Sequence, residues 1–146
     1  MALGALHLFR EYTKTRLSVR DGARVAEDLF IQFRLAEAAA AVDAARDQLL
    51  GCFAEMMRLA RAGREIPLEQ RARYRWGAAK ATDWSVRAVD LLFEASGGRA
   101  IFLTNPLQRA WRDVHAMRAH AGNNPERAAA VFGRSEFGLP PQDFRF

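Results

Sequence analysis

The fold is decided by the stretch VAEDLFIQFRLAEAAAAVDAARDQLLGCFAEMMRLARA, residues 25–62. It holds no proline and a single glycine, and its apolar residues recur mostly three or four positions apart, the spacing of one face of an α-helix. These residues are Leu29, Phe33, Ala36, Ala40, Leu49, Phe53, Met56 and Ala60. The alanine-rich middle, residues 38–45, combines high helix propensity with small side chains, so a neighbouring helix can approach closely there. We therefore predict one long helix over residues 25–62.

The segment before this helix predicts a shorter one. Leu6, Phe9 and Tyr12 lie three positions apart, which places them on one face of a helix over residues 2–16. Gly22 is a natural position for the chain reversal between the two helices.

Three more helices are predicted after the long one. Pro67 opens the first, which runs to about Ser96, and its wide apolar surface indicates burial on more than one side. Asn105 and Asn124 are capping residues, and each is followed by a proline at the first helical position. They predict a fourth helix and a short fifth helix that ends near Phe132.

The chain is therefore predicted to be all-α, an up-and-down helical bundle of three long helices and one or two short C-terminal ones. Its 146 residues and 16.4 kDa correspond to one domain, residues 1–146. Helix cannot continue through Pro140 and Pro141, and we expect Phe144 and Phe146 in the tail to lie against another surface.

Composition narrows the class of function. Half of the residues are hydrophobic and 27% are charged, the balance of a soluble globular chain. The lone Cys52 excludes an internal disulfide, and with three scattered histidines we expect no metal site. The longest apolar stretch is far below the ~18 residues of a membrane span, and the N-terminus lacks the features of a signal peptide. We expect a cytoplasmic protein with no membrane partner.

The net charge of +5 comes almost entirely from arginine and raises the possibility of an anionic partner. Basic residues gather at Arg64, Arg71, Arg73, Arg75 and Lys80. Glu65 and Glu69 stand among them and no recognition motif follows, so we do not expect a nucleic-acid partner.

The predicted fourth helix carries the densest polar group of the chain. Its members are Gln108, Arg109, Arg112, Asp113, His115, Arg118 and His120. Arg109 and Asp113 are four apart and can pair on the helix surface. A solvated helix face explains this group as well as a functional site does, and His120 could be a C-terminal residue favoured by the helix dipole.

The string SGGRAIFLTNPLQRAWRDVHAMRAHAGNNPE, residues 96–126, resembles the C-terminal helical domain of the acyl-CoA dehydrogenase fold. Within that fold it is similar to the flavin-dependent monooxygenases, which include the oxygenase components of 4-hydroxyphenylacetate and secosteroid hydroxylases and dibenzothiophene monooxygenase. The matching features are the double glycine, Gly97 and Gly98, the helix start at residues 105–109, the pair Arg112-Asp113, and His120 eight residues after Arg112.

Upstream, residues 12–49 resemble the family's first two C-terminal helices, with Arg16 and Gln32 at characteristic positions. In related dehydrogenases an arginine at the position of Arg16 reaches the pyrophosphate of flavin bound by a neighbouring subunit. The resemblance thus implies that Arg16, Gly97 and Gly98 bind the cofactor. The phenylalanine and glycine that usually follow that arginine are missing here.

The same resemblance implies that His120 is catalytic. In the monooxygenases the matching histidine faces the flavin ring and the substrate, where an imidazole can accept a phenolic proton or donate a hydrogen bond to a flavin hydroperoxide. The dehydrogenases instead carry a catalytic glutamate in this region. The present chain has Ala119-His120-Ala121 there, which argues against acyl-CoA dehydrogenation.

The family places an N-terminal helical domain and a middle β-domain before this one, with flavin between the β-domain and the helical domain. We expect both to be absent here, so the isolated chain would be inactive until other domains or a separate chain complete it. The implied function is hydroxylation of an aromatic or polycyclic substrate by O2 and reduced FMN or FAD, with a flavin reductase as partner. The alternative is a non-catalytic oligomerisation or assembly module. A homo-dimer or tetramer is expected in either case.

Overall fold

The computed structural model describes residues 1–140 and 142, and within them the chain folds into five α-helices. These are α1 (Ala2–Thr15), α2 (Leu29–Arg61), α3 (Leu68–Ala95), α4 (Pro106–Ala119) and α5 (Pro125–Glu136). The all-α prediction is confirmed, although α4, with 14 residues, is as short as α1, so only α2 and α3 are long. The expectation for Phe144 and Phe146 falls outside the described residues.

α2 begins at Leu29 and not at Val25, because Asp28 caps it. The Asp28 Oδ1 accepts hydrogen bonds from the backbone N–H groups of Phe30 at 2.7 Å and Ile31 at 3.3 Å. A capping carboxylate satisfies N–H groups that have no partner within the helix and favours a helix start at that point. The preceding residues, Val25–Glu27, form a separate 3-10 turn.

The two predicted asparagine caps are confirmed. Asn105 Oδ1 accepts from the N–H of Leu107 at 3.0 Å, and Asn124 Oδ1 accepts from the N–H of Arg127 at 2.8 Å. α5 continues about one turn beyond the predicted end, to Glu136.

The chain divides into two compact units. Unit 1 contains Met1–Asp43 and Trp84–Ala116, and unit 2 contains Ala44–Asp83 and the chain from Met117 onward. Unit 1 has a core drawn from α1, α2, α3 and α4, in which Phe9, Val89 and Val114 are almost completely buried. Fully burying a side chain of this size contributes roughly 1.5–3 kcal/mol. Other core members are Ala5, Leu6, Ala38, Val42, Ala88, Leu92 and Leu107.

Unit 2 packs α2 closely against α3 at Gly77. A Cβ placed on Gly77 would lie 2.5 Å from the side-chain nitrogen of Gln48 and 3.3 Å from the sulfur of Cys52, which is a buried free thiol. On α3, the Trp76 ring stacks on Phe132 of α5 with 6.4 Å between centroids. The absence of a side chain at Gly77 therefore allows α2 and α3 to approach closely at this point, which lies outside the alanine-rich stretch 38–45.

The buried residues of α2 differ from the apolar residues whose spacing predicts the helix. Leu29, Phe33 and Phe53 are 77%, 63% and 56% exposed, respectively. The buried residues of α2 are Ala38, Val42, Ala45, Cys52 and Leu59. Apolar residues surround much of this helix, so their spacing predicts the helix without selecting its buried side. Among the described residues, no helix combines the length and apolar character that a bilayer crossing requires.

Candidate functional site

Arg16 is fixed at the carboxyl end of α3, within unit 1. Its Nη1 donates hydrogen bonds to the carbonyl oxygens of Ser96 at 2.8 Å and Ala95 at 3.4 Å. Its guanidinium carbon also lies 5.5 Å from the centre of the Tyr12 ring. The last carbonyls of a helix carry partial negative charge and lack helical partners, so the cation stabilises this helix end. The half-buried Arg16 is thus held in one place by the fold.

Gly97 meets Arg16 at the same point. Its φ of +68° lies in the region that favours glycine, and a Cβ there would come within 3.0 Å of Arg16 Nη2. Both the backbone conformation and the available space therefore require glycine at position 97. Gly98 has open space where its Cβ would be. The structure brings together the three predicted cofactor-binding residues, Arg16, Gly97 and Gly98.

Two of the open cavities that border this junction have Tyr12 and Arg99 in common. The larger, of about 680 Å³, is lined by residues that include Tyr12, Arg16, Gly98 and Arg99. The smaller, of about 340 Å³, shares Tyr12 and Arg99 and also touches the buried Ser96. Two guanidinium groups on one cavity are a donor set that suits a phosphate-bearing ligand, because guanidinium groups form charge-assisted hydrogen bonds to phosphate oxygens. The residues present therefore fit the phosphate end of a flavin nucleotide.

His120 belongs to unit 2 and lies directly after the last residue of α4. It is exposed and has an extended backbone, and it caps the 3-10 turn Ala121–Asn123. Its Nδ1 accepts a hydrogen bond from the N–H of Gly122 at 3.1 Å. The Asn123 side chain donates to the carbonyl of Met117 at 2.9 Å and closes the turn from the other side. The backbone N–H of His120 also donates to the carbonyl of Met117 at 3.3 Å, so the position of His120 is set by the end of α4 and by the 3-10 turn that follows it.

The remaining polar residues of α4 divide between surface and structural roles. Arg109 pairs with Asp113 at 3.6 Å, as the spacing predicts, and Arg109 is 80% exposed, so the pair contributes at most about 1 kcal/mol. Arg118 Nε donates to Asp83 at 3.1 Å, and Lys80 also contacts that carboxylate. Partial burial raises the pKa of Asp83, but hydrogen bonds and charges from Lys80 and Arg118 outweigh it and hold the pKa below its ordinary value.

The sequence reasoning missed the role of Asp90 in unit 1. Its Oδ1 accepts from Trp111 Nε1 at 2.7 Å and contacts His115 Nε2 at 2.9 Å. Trp111 also stacks on Phe93 with 5.2 Å between centroids. The sequence does carry a signal for this role, because Asp90 is the one charged residue in the apolar run from Val89 to Phe93. Over residues 1–140 and 142, no three His, Cys, Asp or Glu side chains form a group that could hold a metal ion.

Comparison with known proteins places these features in a family. The oxygenase subunit HsaA of a flavin-dependent monooxygenase from Mycobacterium tuberculosis is 46% identical over 144 residues, covering 98% of this chain and 36% of HsaA. The oxygenase component of an FADH2-dependent resorcinol hydroxylase from Rhizobium sp. is 39% identical, covering 97% of this chain and 36% of that protein. The solved structure of XiaF from Streptomyces sp., in complex with FADH2 and glycerol, matches with a TM-score of 0.92 at 26% identity, over 97% of this chain and 36% of XiaF.

The chain thus spans little more than a third of the length of these relatives. The family model for the acyl-CoA dehydrogenase C-terminal domain matches residues 1–125. The resemblance seen in the sequence is confirmed, and the fold of five helices agrees with it. This chain belongs to the acyl-CoA dehydrogenase C-terminal domain family.

Proposed function

We propose that this chain is the C-terminal helical domain of a flavin-dependent monooxygenase that hydroxylates an aromatic or polycyclic compound. The observation that carries the proposal is the junction of Arg16 with Gly97, in a chain similar over nearly its whole length to flavin-dependent oxygenase subunits. HsaA is named as the oxygenase subunit of a flavin-dependent monooxygenase, and the Rhizobium protein is named as a hydroxylase component for resorcinol, an aromatic compound.

Arg16, Gly97 and Gly98 would hold the phosphate end of the flavin. Arg16 supports this role because its Nη1 is held by α3 carbonyls while its side chain lines the cavity beside Gly98. Arg99 lines the same cavity and would add a second positive charge. Reduced FAD is favoured over FMN, because FADH2 is named for two of the relatives. When bound, the reduced flavin would supply the chemistry by which O2 is used to hydroxylate the substrate.

His120 would be the catalytic residue of this chain. Its side chain is exposed at a turn, and imidazole is the side chain best able to exchange a proton near neutral pH. At the substrate it would hold or move the proton of a phenolic hydroxyl. A flavin ring and a phenol both present oxygen atoms with which this imidazole could share a hydrogen bond.

We propose that the N-terminal helical domain and the β-domain of the family complete the pocket, from the same polypeptide or from a separate chain. Shielding of reduced flavin from water needs a closed site, so residues 1–146 alone would be inactive. A flavin reductase would supply the reduced cofactor. The exposed Leu29, Phe30 and Phe33 support a homo-dimer or tetramer, because contiguous exposed apolar side chains mark protein interfaces. The cytoplasmic location stays a prediction.

A non-catalytic assembly module is the second candidate. The observation that favours it is a further exposed apolar group on α2 in unit 2, where Leu50, Phe53 and Met57 are 54%, 56% and 52% exposed. Such a group would serve an interface whether or not flavin binds.

Anaerobic titration of the chain with reduced FAD, and aerobic titration with oxidised FAD, separates the two functions. Arg99→Gln should weaken binding several-fold, because it removes a charge from the cavity without touching the α3 contacts of Arg16. Arg109→Gln is the matched control, since Arg109 pairs only at the surface of α4. Absence of saturable binding, or equal binding by both variants, would contradict the flavin site and favour the assembly module.

A further inference from the structure

The hydrogen bond between Gly122 and His120 defines which ring nitrogen carries the proton. The N–H of Gly122 donates to Nδ1 of His120 across 3.1 Å, so Nδ1 must offer a lone pair. In a neutral imidazole one nitrogen is an acceptor and the other carries hydrogen. The neutral ring of His120 therefore carries its proton on Nε2.

Because Gly122 has no Cβ, it leaves space for the His120 ring in its observed position. A Cβ on Gly122 would lie 3.3 Å from Nδ1 and 3.5 Å from Cε1 of His120. The first distance is tighter than ordinary van der Waals contact, so the imidazole would have to move by a few tenths of an ångström. Gly122 is not among the glycines with positive φ, so its backbone conformation is open to alanine. Its lack of a Cβ thus matters for the ring and not for the turn.

We infer that Gly122 is a positioning residue for His120, one that holds the imidazole in place and fixes its neutral form with the proton on Nε2. The catalytic consequence rests on the proposed function of His120, whereas the tautomer does not. With hydrogen on Nε2, the neutral ring donates from that atom to an oxygen of a bound ligand. It can take up a proton only at Nδ1, where the hydrogen bond from Gly122 would be lost. The arrangement therefore favours a donor over a base among the two roles open to His120.

The tautomer can be measured on the 146-residue chain without flavin or substrate. Long-range proton–nitrogen NMR spectra of the ¹⁵N-labelled chain, at about pH 8.5 where an ordinary imidazole is neutral, report each ring nitrogen separately. We expect His120 to show an unprotonated Nδ1, a protonated Nε2, and a scalar coupling across the hydrogen bond between Gly122 N and Nδ1. A His120 ring with its proton mainly on Nδ1 would overturn the inference.

Gly122→Ala tests the positioning role. We expect loss of the coupling across the hydrogen bond and a mixture of the two tautomers. Gly133→Ala is the control, because a Cβ at Gly133 in the same unit meets open space. Unchanged circular dichroism would show that both variants fold. If the Gly122→Ala spectrum of His120 matches that of the unsubstituted chain, Gly122 does not position the ring.

In an active assembly, Gly122→Ala should lower kcat on the order of tenfold with little change in KM, because misplacing a reacting group costs rate more than binding. An unchanged kcat would contradict the positioning role. Full activity of a His120→Ala variant would overturn the proposed function of His120 but leave the NMR result intact, so the two failures are distinguishable.

Discussion

The indole Nε1 of Trp111 donates a 2.7 Å hydrogen bond to Oδ1 of Asp90, which ties α4 to α3 within unit 1. His115 contacts the same oxygen, so one carboxylate serves two side chains of α4. Hydrogen bonds to a charged acceptor contribute more than those between neutral groups.

Asp90→Ala is therefore expected to lower the free energy of unfolding by about 1–3 kcal/mol, because it leaves the indole N–H without its acceptor. Urea denaturation followed by circular dichroism measures the change. The control is Asp113→Ala, which removes only the surface pair with Arg109 and should cost less than about 1 kcal/mol. Equal losses in the two variants would show that the Asp90 contacts do not stabilise the packing of α4.

Asp83 predicts acid sensitivity in unit 2. Its pKa is held below the ordinary value in the folded chain, so its contribution to stability is present above the unfolded pKa of about 3.9 and is lost as pH falls through the folded pKa. Asp83→Asn removes this contribution at every pH. The stability difference between the unsubstituted chain and this variant should thus shrink as the pH falls below about 4. A difference that stays constant as the pH falls would count against the ion pairs with Lys80 and Arg118.

Gly97 and Gly98 provide a matched pair of substitutions. Gly97→Ala should destabilise the chain by about 1–2 kcal/mol, because alanine at positive φ is strained and its Cβ approaches Arg16. Gly98→Ala meets open space and should change stability much less. Thermal unfolding of both variants checks this. If they unfold alike, the close approach of Arg16 to Gly97 is not a constraint.

His120→Ala in an active assembly should abolish the hydroxylated product while flavin still binds, because the imidazole is proposed to act on the reacting oxygen, as hydrogen-bond donor or as base, and not on cofactor affinity. Product formation and flavin affinity are measured on the same preparation. His7→Ala, an exposed position on α1, is the control. Undiminished hydroxylation by His120→Ala would exclude the catalytic assignment.

The exposed phenylalanines near the start of α2 predict self-association. Phe30→Glu combined with Phe33→Glu should shift the sedimenting species towards the monomer, because charged groups cannot be buried there at low cost. Gln32→Glu adds a charge on the same turn without removing apolar surface and should leave the mass unchanged. An identical mass for all three chains would place the interface elsewhere or show that none forms.

Much of the fold can be predicted from the sequence because capping residues, prolines and glycines mark the ends of several helices. Asn105 and Asn124, each followed by proline, start helices where expected, and Gly97 ends α3. The start of α2 was misplaced because Val25–Glu27 continues the helical pattern, and only the hydrogen bonds of Asp28 separate it from α2. The apolar spacing is the same for both starts, so the cap at Asp28 and not the spacing decides between them.

For the candidate site, the family pattern predicts which residues take part but not how they contact one another. The pattern named Arg16 and Gly97, but their direct approach joins positions about eighty residues apart, which spacing does not encode. The same holds for Asp90, whose partners lie on another helix. The sequence Ala121-Gly122-Asn123 predicts a turn, but the effect of Gly122 on His120 depends on the three-dimensional distance between the Gly122 N–H and the imidazole.

The guanidinium of Arg16 at the end of α3 is hydrogen-bonded to the protein's own backbone. A nucleotide that recruits the guanidinium of Arg16 must either share it with the carbonyls of Ala95 and Ser96 or draw it away from them. In the second case the last turn of the helix would fray on occupancy, and amide hydrogens around Ser96 would exchange faster with ligand than without it. Nucleotide binding at Arg16, as proposed, would therefore be coupled to the local order at the end of α3 through this one side chain.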